Sequence, residues 1–186
     1  MTAMTITKTL DDLSVIFNSL KEVYYFKTKN LGVANITAAD MEIPVTEDGV
    51  TFKTSEPSVT KIKLTTGRIW TPIASSGDSD ISFQVPSVAG EVNNLLMAKK
   101  GEDVTMTSTV AGVTFKGNGY NPDEVNISHG GLLLVSEDRG AAIYLPNVDM
   151  YASLNIEKDK PAYFDVKVTP LADTTGASMY ILFPNA

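Results

Sequence analysis

The sequence predicts a mainly β fold, a β-sandwich or barrel with one embedded short helix and a helix near the N-terminus. Two observations predict it. Short segments that alternate apolar with polar residues recur from residue 43 onward, and turns rich in glycine and aspartate separate them. At 186 residues the chain fits one domain. We divide it into an N-terminal helical or extended segment, residues 1–42, and a β-sandwich or barrel domain, residues 43–186.

The first element, a helix, is predicted from residue 9 to about residue 25. Thr9 followed three residues later by Asp12 has the form of a capping box. Apolar side chains then recur at spacings of three and four, which places one apolar stripe along a helix. They are Leu10, Leu13, Phe17, Leu20 and Tyr24. The run Val-Tyr-Tyr-Phe at 23–26 is also typical of the start of a strand, and that alternative stays open.

The strands of the β domain are predicted from a period of two, which directs one side-chain face inward and the other outward. Five segments show this alternation clearly: 50–53, 61–64, 81–85, 104–107 and 164–168. Glycine-containing turns lie between them, which is typical of a sandwich or barrel.

One helix is predicted among the strands, over residues 86–97. Val88, Val92, Leu95 and Leu96 fall on one face of such a helix, and Ser87 is the expected N-cap. Because its glycine and asparagines are poor helix formers, we expect this helix to depend on packing against the sheet.

An internal repeat is suggested by the recurrence of Gly-Val-Thr-Phe-Lys at 49–53 and 112–116. The repeats would span about residues 46–108 and 109–183, giving two related halves. Coincidence in a chain rich in valine, threonine and glycine is the alternative reading.

The composition excludes several classes of function. Without cysteine, the chain has no disulfide, thiolate metal site or cysteine nucleophile. A formal net charge of −7 disfavours tight wrapping of nucleic acid. We expect a protein without a membrane span or secretory signal, because the start of the chain lacks the basic-then-apolar pattern and no apolar run reaches about 18 residues.

Candidate chemistry is sparse. His129 is the single histidine, and its serine and glycine neighbours predict a solvated turn rather than a catalytic group. Asp78 with Asp80, and Glu137 with Asp138, lack the further spaced acids of a calcium loop. The aromatic residues are expected in the core or in subunit contacts rather than in a sugar-stacking platform. They are Trp70, Tyr120, Tyr144, Tyr151 and Tyr163. We therefore predict no catalytic, cofactor-binding or metal-ligating residues and no enzymatic activity.

Over about residues 40–183 the chain resembles bacteriophage and prophage major tail tube proteins. The segments that carry the resemblance are Trp70, 77–87, the helix at 88–99, 131–138, 144–148 and 160–170. The resemblance implies a virion protein that assembles into stacked rings, usually hexameric, around a channel through which DNA passes without specific binding. A trimer would follow if each chain fills two positions through the duplication.

Other phage tail proteins would be partners of such a subunit, and the segment before residue 42 and the loop near 40–60 would contact the next ring. Two other classes stay open. One is a carbohydrate- or surface-binding β-sandwich module, and the other is an enzyme that uses carboxylates alone.

Overall fold

The computed structural model describes residues 18–63, 65–66, 68–75, 77–107 and 112–184. Within these ranges the chain forms twelve strands, one α-helix and a short 3-10 helix at Val33–Asn35. The strands are β1 (Leu20–Phe26), β2 (Met41–Ile43), β3 (Val50–Lys53), β4 (Ser58–Lys63), β5 (Ile69–Ser75), β6 (Asp80–Val85), β7 (Lys99–Thr107), β8 (Thr114–Tyr120), β9 (Ile127–Ser136), β10 (Ala142–Asn155), β11 (Tyr163–Pro170) and β12 (Tyr180–Leu182). The helix α1 spans Gly90–Leu96 between β6 and β7. The predicted mainly β fold with one embedded helix is confirmed.

One antiparallel sheet of eight strands forms the body, in the order β2-β1-β9-β10-β11-β6-β3, with β12 added beside the start of β10. The sheet curls into a half-barrel. At the far edge of the sheet, β3 returns towards β1. A Cβ added to Gly49, the residue before β3, would lie 2.5 Å from the carbonyl oxygen of Leu20. The five predicted alternating segments lie in β3, β4, β6, β7 and β11, with Leu64 outside the described residues.

The main hydrophobic core fills the inside of this curl. It takes its largest contributions from β1, β6, β9, β10 and β11, and α1 adds Val92 and Leu96. Its fully buried members include Val23, Leu134 and Phe164. Burying a side chain of this size stabilises a fold by about 1.5–3 kcal/mol, so the core holds the body together without disulfides.

The central strands β9 and β10 are covered on both faces over residues 130–136 and 142–148. Ile143 and Leu145 point into the core, whereas Tyr144 between them is fully buried on the opposite side. There its ring meets Phe26 edge-on at a centroid distance of 6.0 Å and stacks with Tyr180 at 6.3 Å. Strands buried on both faces show a continuous apolar run instead of alternation, which is why periodicity did not predict these two strands.

The predicted N-terminal helix is wrong over its last turns. Residues 20–25 lie in β1, which pairs with β2 and β9, and residues 9–17 lie outside the described part of the chain. A bulge between Leu20 and Glu22 resets the alternation, so Leu20 and Val23 both face the core at a spacing of three that imitates a helix. The alternative strand at 23–26 is the correct reading. The proposed division at residues 42 and 43 falls within β2, and β1, which lies wholly in the first segment, belongs to the same sheet as the second segment.

The embedded helix is shorter than predicted, and its predicted cap is wrong. Ala89 is the N-cap residue and has no side-chain cap, while the Ser87 hydroxyl accepts a hydrogen bond from the Ala89 amide at 3.3 Å. Val88 is half exposed, before the helix begins. At the other end, the Leu95 carbonyl accepts hydrogen bonds from Asn126 and Ser128. The packing dependence expected for a weak helix is therefore present.

The two Gly-Val-Thr-Phe-Lys segments do not occupy equivalent positions. Both glycines have positive φ, 71° at Gly49 and 62° at Gly112. The first segment, however, leads into β3 of the main sheet, and the second leads into β8 of a separate two-stranded sheet. Phe52 packs against the core, whereas Phe115 is half exposed. Descent from a duplication stays a prediction, but the two segments lie in different sheets of the structure.

Candidate functional site

Two hairpins are distinct from the body. In the described chain, β4 pairs with β5 and β7 pairs with β8, and neither pair joins the eight-stranded sheet. The base of the β7–β8 hairpin is anchored on α1, because the Tyr120 hydroxyl and the Asn118 side-chain amide donate to Asn94 at 2.8 and 3.1 Å. Beyond this base the hairpin is supported mainly by its own two strands.

One face of the β7–β8 hairpin is apolar and open to solvent. Met106 lies directly opposite Phe115, and Val104 lies two residues before Met106 on the same face. These side chains are 62%, 51% and 58% exposed, respectively. The reverse face carries Thr105 opposite Lys116. We call Val104, Met106 and Phe115 the apolar face of the hairpin.

The β4–β5 hairpin has a different character. Lys61 and Lys63 lie two residues apart on β4, on one face and exposed. Arg68, also exposed, precedes β5. Val59 on the lysine face and Ile73 on the reverse face are each 52% exposed. The two hairpins therefore offer one mainly apolar surface and one cationic surface.

His129 lies in the strand β9, not in the turn that its neighbours predicted. Its Nδ1 contacts the carboxylate of Asp149, the residue directly opposite on β10. Ser128 points to the other side of the strand, where it is buried and its hydroxyl donates to the Leu95 carbonyl. Because this serine and histidine face opposite ways, they cannot form a nucleophile–base pair.

Of the two acidic pairs singled out in the sequence, Glu137 and Asp138 lie in the turn between β9 and β10, whereas Asp80 is the first residue of β6 and Asp78 lies just before that strand. The Asp138 carboxylate accepts hydrogen bonds from the Ser136 hydroxyl at 2.7 Å, from the Gly140 amide at 3.0 Å and from Asn18. The Ser136 bond is the main reason that the pKa of Asp138 is lowered. Among the residues that the structure describes, no group of three or more histidine, aspartate or glutamate side chains is placed to hold a metal ion.

Other displaced pKa values also have structural causes. The Tyr24 hydroxyl donates to Glu22 and, with Arg139 at 2.9 Å, lowers the pKa of that carboxyl group. Hydrogen bonds from the hydroxyls of Tyr180 and Thr175 lower the pKa of Asp173 to about 2. These groups join the start of β1 to the β9–β10 turn and fix the turn before β12, which are structural tasks.

The four tyrosines singled out in the sequence, all in the described part of the chain, do not form the platform that a sugar-binding surface would require. Tyr144 is fully buried, and Tyr120 is tied to α1. Tyr163 donates to Glu157 in the turn after β10, and Tyr151 is 36% exposed on β10. The side chain of Trp70 lies outside what the structure describes. Among the four tyrosines, Tyr144 meets the expectation of a core position, and the expectation of subunit contacts stays a prediction.

Sequence reasoning identified 104–107 as a strand but not its exposed apolar face. The alternation Val-Thr-Met-Thr showed that one face would be apolar. Nothing in the local pattern showed that the body leaves this face uncovered. The cationic character of residues 58–75 was readable from the sequence and was missed, because only the charge of the whole chain was considered.

Within the described chain, no helix is long and apolar enough to cross a membrane. No protein-family model and no curated protein sequence matches the chain. Among solved structures, it is similar to a chain in the cryo-EM structure of the anti-feeding prophage cap, a tube-terminating cap. The TM-score is 0.42 and the sequence identity 12%, over 96% of this chain and 100% of the cap chain. A likeness at this TM-score is too loose to assign a shared fold or function.

Proposed function

We propose that the chain is a structural subunit of a phage or prophage tail, and specifically a tail tube subunit that assembles into stacked rings around a DNA channel. The observation that carries the proposal is the apolar face of the β7–β8 hairpin, which stays open to solvent although the body has a complete core of its own. The sequence resemblance supplies the class of assembly. The loose likeness to the prophage cap adds nothing to the argument.

An exposed apolar face on a projecting hairpin favours contact with another protein surface. Val104, Met106 and Phe115 lie side by side, and contiguous apolar surface is a frequent mark of an interaction site. A two-stranded hairpin with little support from a body is itself marginal in water. A neighbouring subunit that covers the apolar face would stabilise the hairpin and the ring together.

The acidic balance of the chain suits passage of DNA. A net charge of −7 on each subunit gives an assembled tube a negative field, which repels the phosphate backbone and opposes specific binding. The partners are then further copies of the chain in a homohexameric ring, or a trimer if the duplication doubles each position, together with other tail proteins. The location is the virion, and no catalysis is proposed.

Sedimentation velocity over a range of protein concentrations tests this proposal. A tube subunit should populate discrete species several times the 20.0 kDa mass of the chain as concentration rises. A chain that stays at 20.0 kDa at every concentration, and whose thermal unfolding is delayed by a soluble glycan, would refute self-assembly and favour the carbohydrate-binding module instead.

A further inference from the structure

The β4–β5 hairpin is the cationic part of an acidic protein. Residues 58–75 contain Lys61, Lys63 and Arg68 and no aspartate or glutamate. The remainder of the chain keeps all 22 acidic residues against 12 basic ones, which is a formal charge of −10 for the rest of a chain whose total is −7. This contrast is concentrated in one element that stands apart from the main sheet.

The three cations are available to a partner. All three side chains are exposed, and among the described residues none of them takes part in an ion pair. In contrast, Lys53 and Lys160 are each paired with a glutamate three residues away. The half-exposed Val59 lies on the lysine face and would add apolar contact beside the charges.

We propose that the β4–β5 hairpin docks on the acidic surface of a second copy of this chain. The inference rests on the proposed function, which requires subunits of like charge to associate. The residues outside the hairpin carry a formal charge of −10, so a cationic hairpin that meets this part of another copy turns part of the repulsion into attraction and steers the encounter. Nucleic acid is the weaker candidate, because the formal charge of −10 on the rest of the chain would repel the phosphates as the hairpin approached.

Charge reversal on the hairpin, with a matched reversal elsewhere, provides the test. The hairpin variant is Lys61→Glu, Lys63→Glu and Arg68→Glu. The control variant reverses Lys27, Lys29 and Lys158, which are exposed and likewise form no ion pair among the described residues. Each variant lowers the formal net charge by 6, from −7 to −13, so a general increase in repulsion is the same in both.

Self-association is measured by light scattering and sedimentation at low salt and at about 0.5 M salt, where charges are screened over a few ångströms. If each of the three interfacial charges contributes modestly, the hairpin variant should need about ten times the protein concentration of the control variant, or more, to associate at low salt. At about 0.5 M salt the two variants should associate at similar protein concentrations. Circular dichroism and thermal unfolding confirm that both variants fold.

Equal behaviour of the two variants would overturn the inference. So would binding of a 30-base-pair DNA by the unaltered chain that is lost in the hairpin variant while its self-association is unchanged, since that result assigns the hairpin to nucleic acid. If the unaltered chain associates without forming rings or tubes, the proposed function fails, but the comparison of the variants still decides the role of the hairpin. A chain with no self-association under any condition would refute both.

Discussion

Polar replacement of the apolar face should separate assembly from folding. The variant carries Val104→Thr, Met106→Thr and Phe115→Thr, substitutions that keep good strand formers on β7 and β8. The three side chains are between 51% and 62% exposed in the single chain. Burying such a side chain completely stabilises by about 1.5–3 kcal/mol, so burying the exposed half of each in a subunit contact would contribute about 1 kcal/mol.

For the three residues together this contribution is about 3 kcal/mol, so the variant should raise the dissociation constant between subunits about a hundredfold. The free energy of unfolding of the body should change by less than about 0.5 kcal/mol, because these positions lie outside the main core. Sedimentation velocity gives the first quantity and urea denaturation the second. The control, Thr105→Ala with Thr114→Ala, alters the reverse face of the same strands.

The reasoning would be refuted if the apolar-face variant and the control assembled equally well. It would also fail if the apolar-face variant lost several kcal/mol of unfolding free energy, because the face would then be holding the fold rather than awaiting a partner.

Three further substitutions test the fold and its electrostatics. Gly49→Ala should lower the free energy of unfolding, measured in urea, by about 2–4 kcal/mol, because the added Cβ meets the backbone of β1 and the residue has positive φ. Gly112→Ala should lower it by about 1 kcal/mol, because the alanine has the same backbone strain but no atom within 4 Å of its Cβ. Equal losses in the two variants would contradict the curled sheet. Asp173 has a pKa of about 2 in the folded chain against an ordinary 3.8, so its stabilisation is complete above about pH 4 and is lost as the pH falls towards 2. Asp173→Asn should flatten the loss of unfolding free energy over that interval, and an unchanged pH profile would show that its hydrogen bonds are not formed. Ser128→Ala should cost about 1 kcal/mol and increase hydrogen exchange in α1, because one donor to the last turn of the helix is removed; unaltered exchange would show that the serine does not hold the helix.

Several strands with one face towards solvent were readable from the sequence, because alternation records the difference between the two faces. β3, β6 and β11 are examples, since each has its inward residues in the core. β1 was misread because its bulge brings two inward residues to a spacing of three. The central parts of β9 and β10 gave no period of two because both of their faces are buried, as Tyr144 shows. In each case, the deciding fact is the neighbour across the sheet, which local spacing does not contain.

The candidate interface was likewise predictable from the sequence only in part. Its charge is a local property, and a count over residues 58–75 is enough to reveal the three cations. Its exposure is not local. Whether Met106 faces solvent or a second layer of sheet depends on where the rest of the chain folds. The sequence therefore predicts what the hairpins can bind better than it predicts that they are free to bind.

Electron microscopy of the concentrated, purified chain tests the central claim of self-assembly into a tube most directly. The account predicts rings or stacked tubes whose end-on views have closed rotational symmetry and a central hole wide enough for a DNA duplex. It also predicts that these particles disappear in the variant of Val104, Met106 and Phe115 and persist in the control of the reverse face. Single particles of one chain at every concentration, or compact aggregates without a central hole, would contradict it.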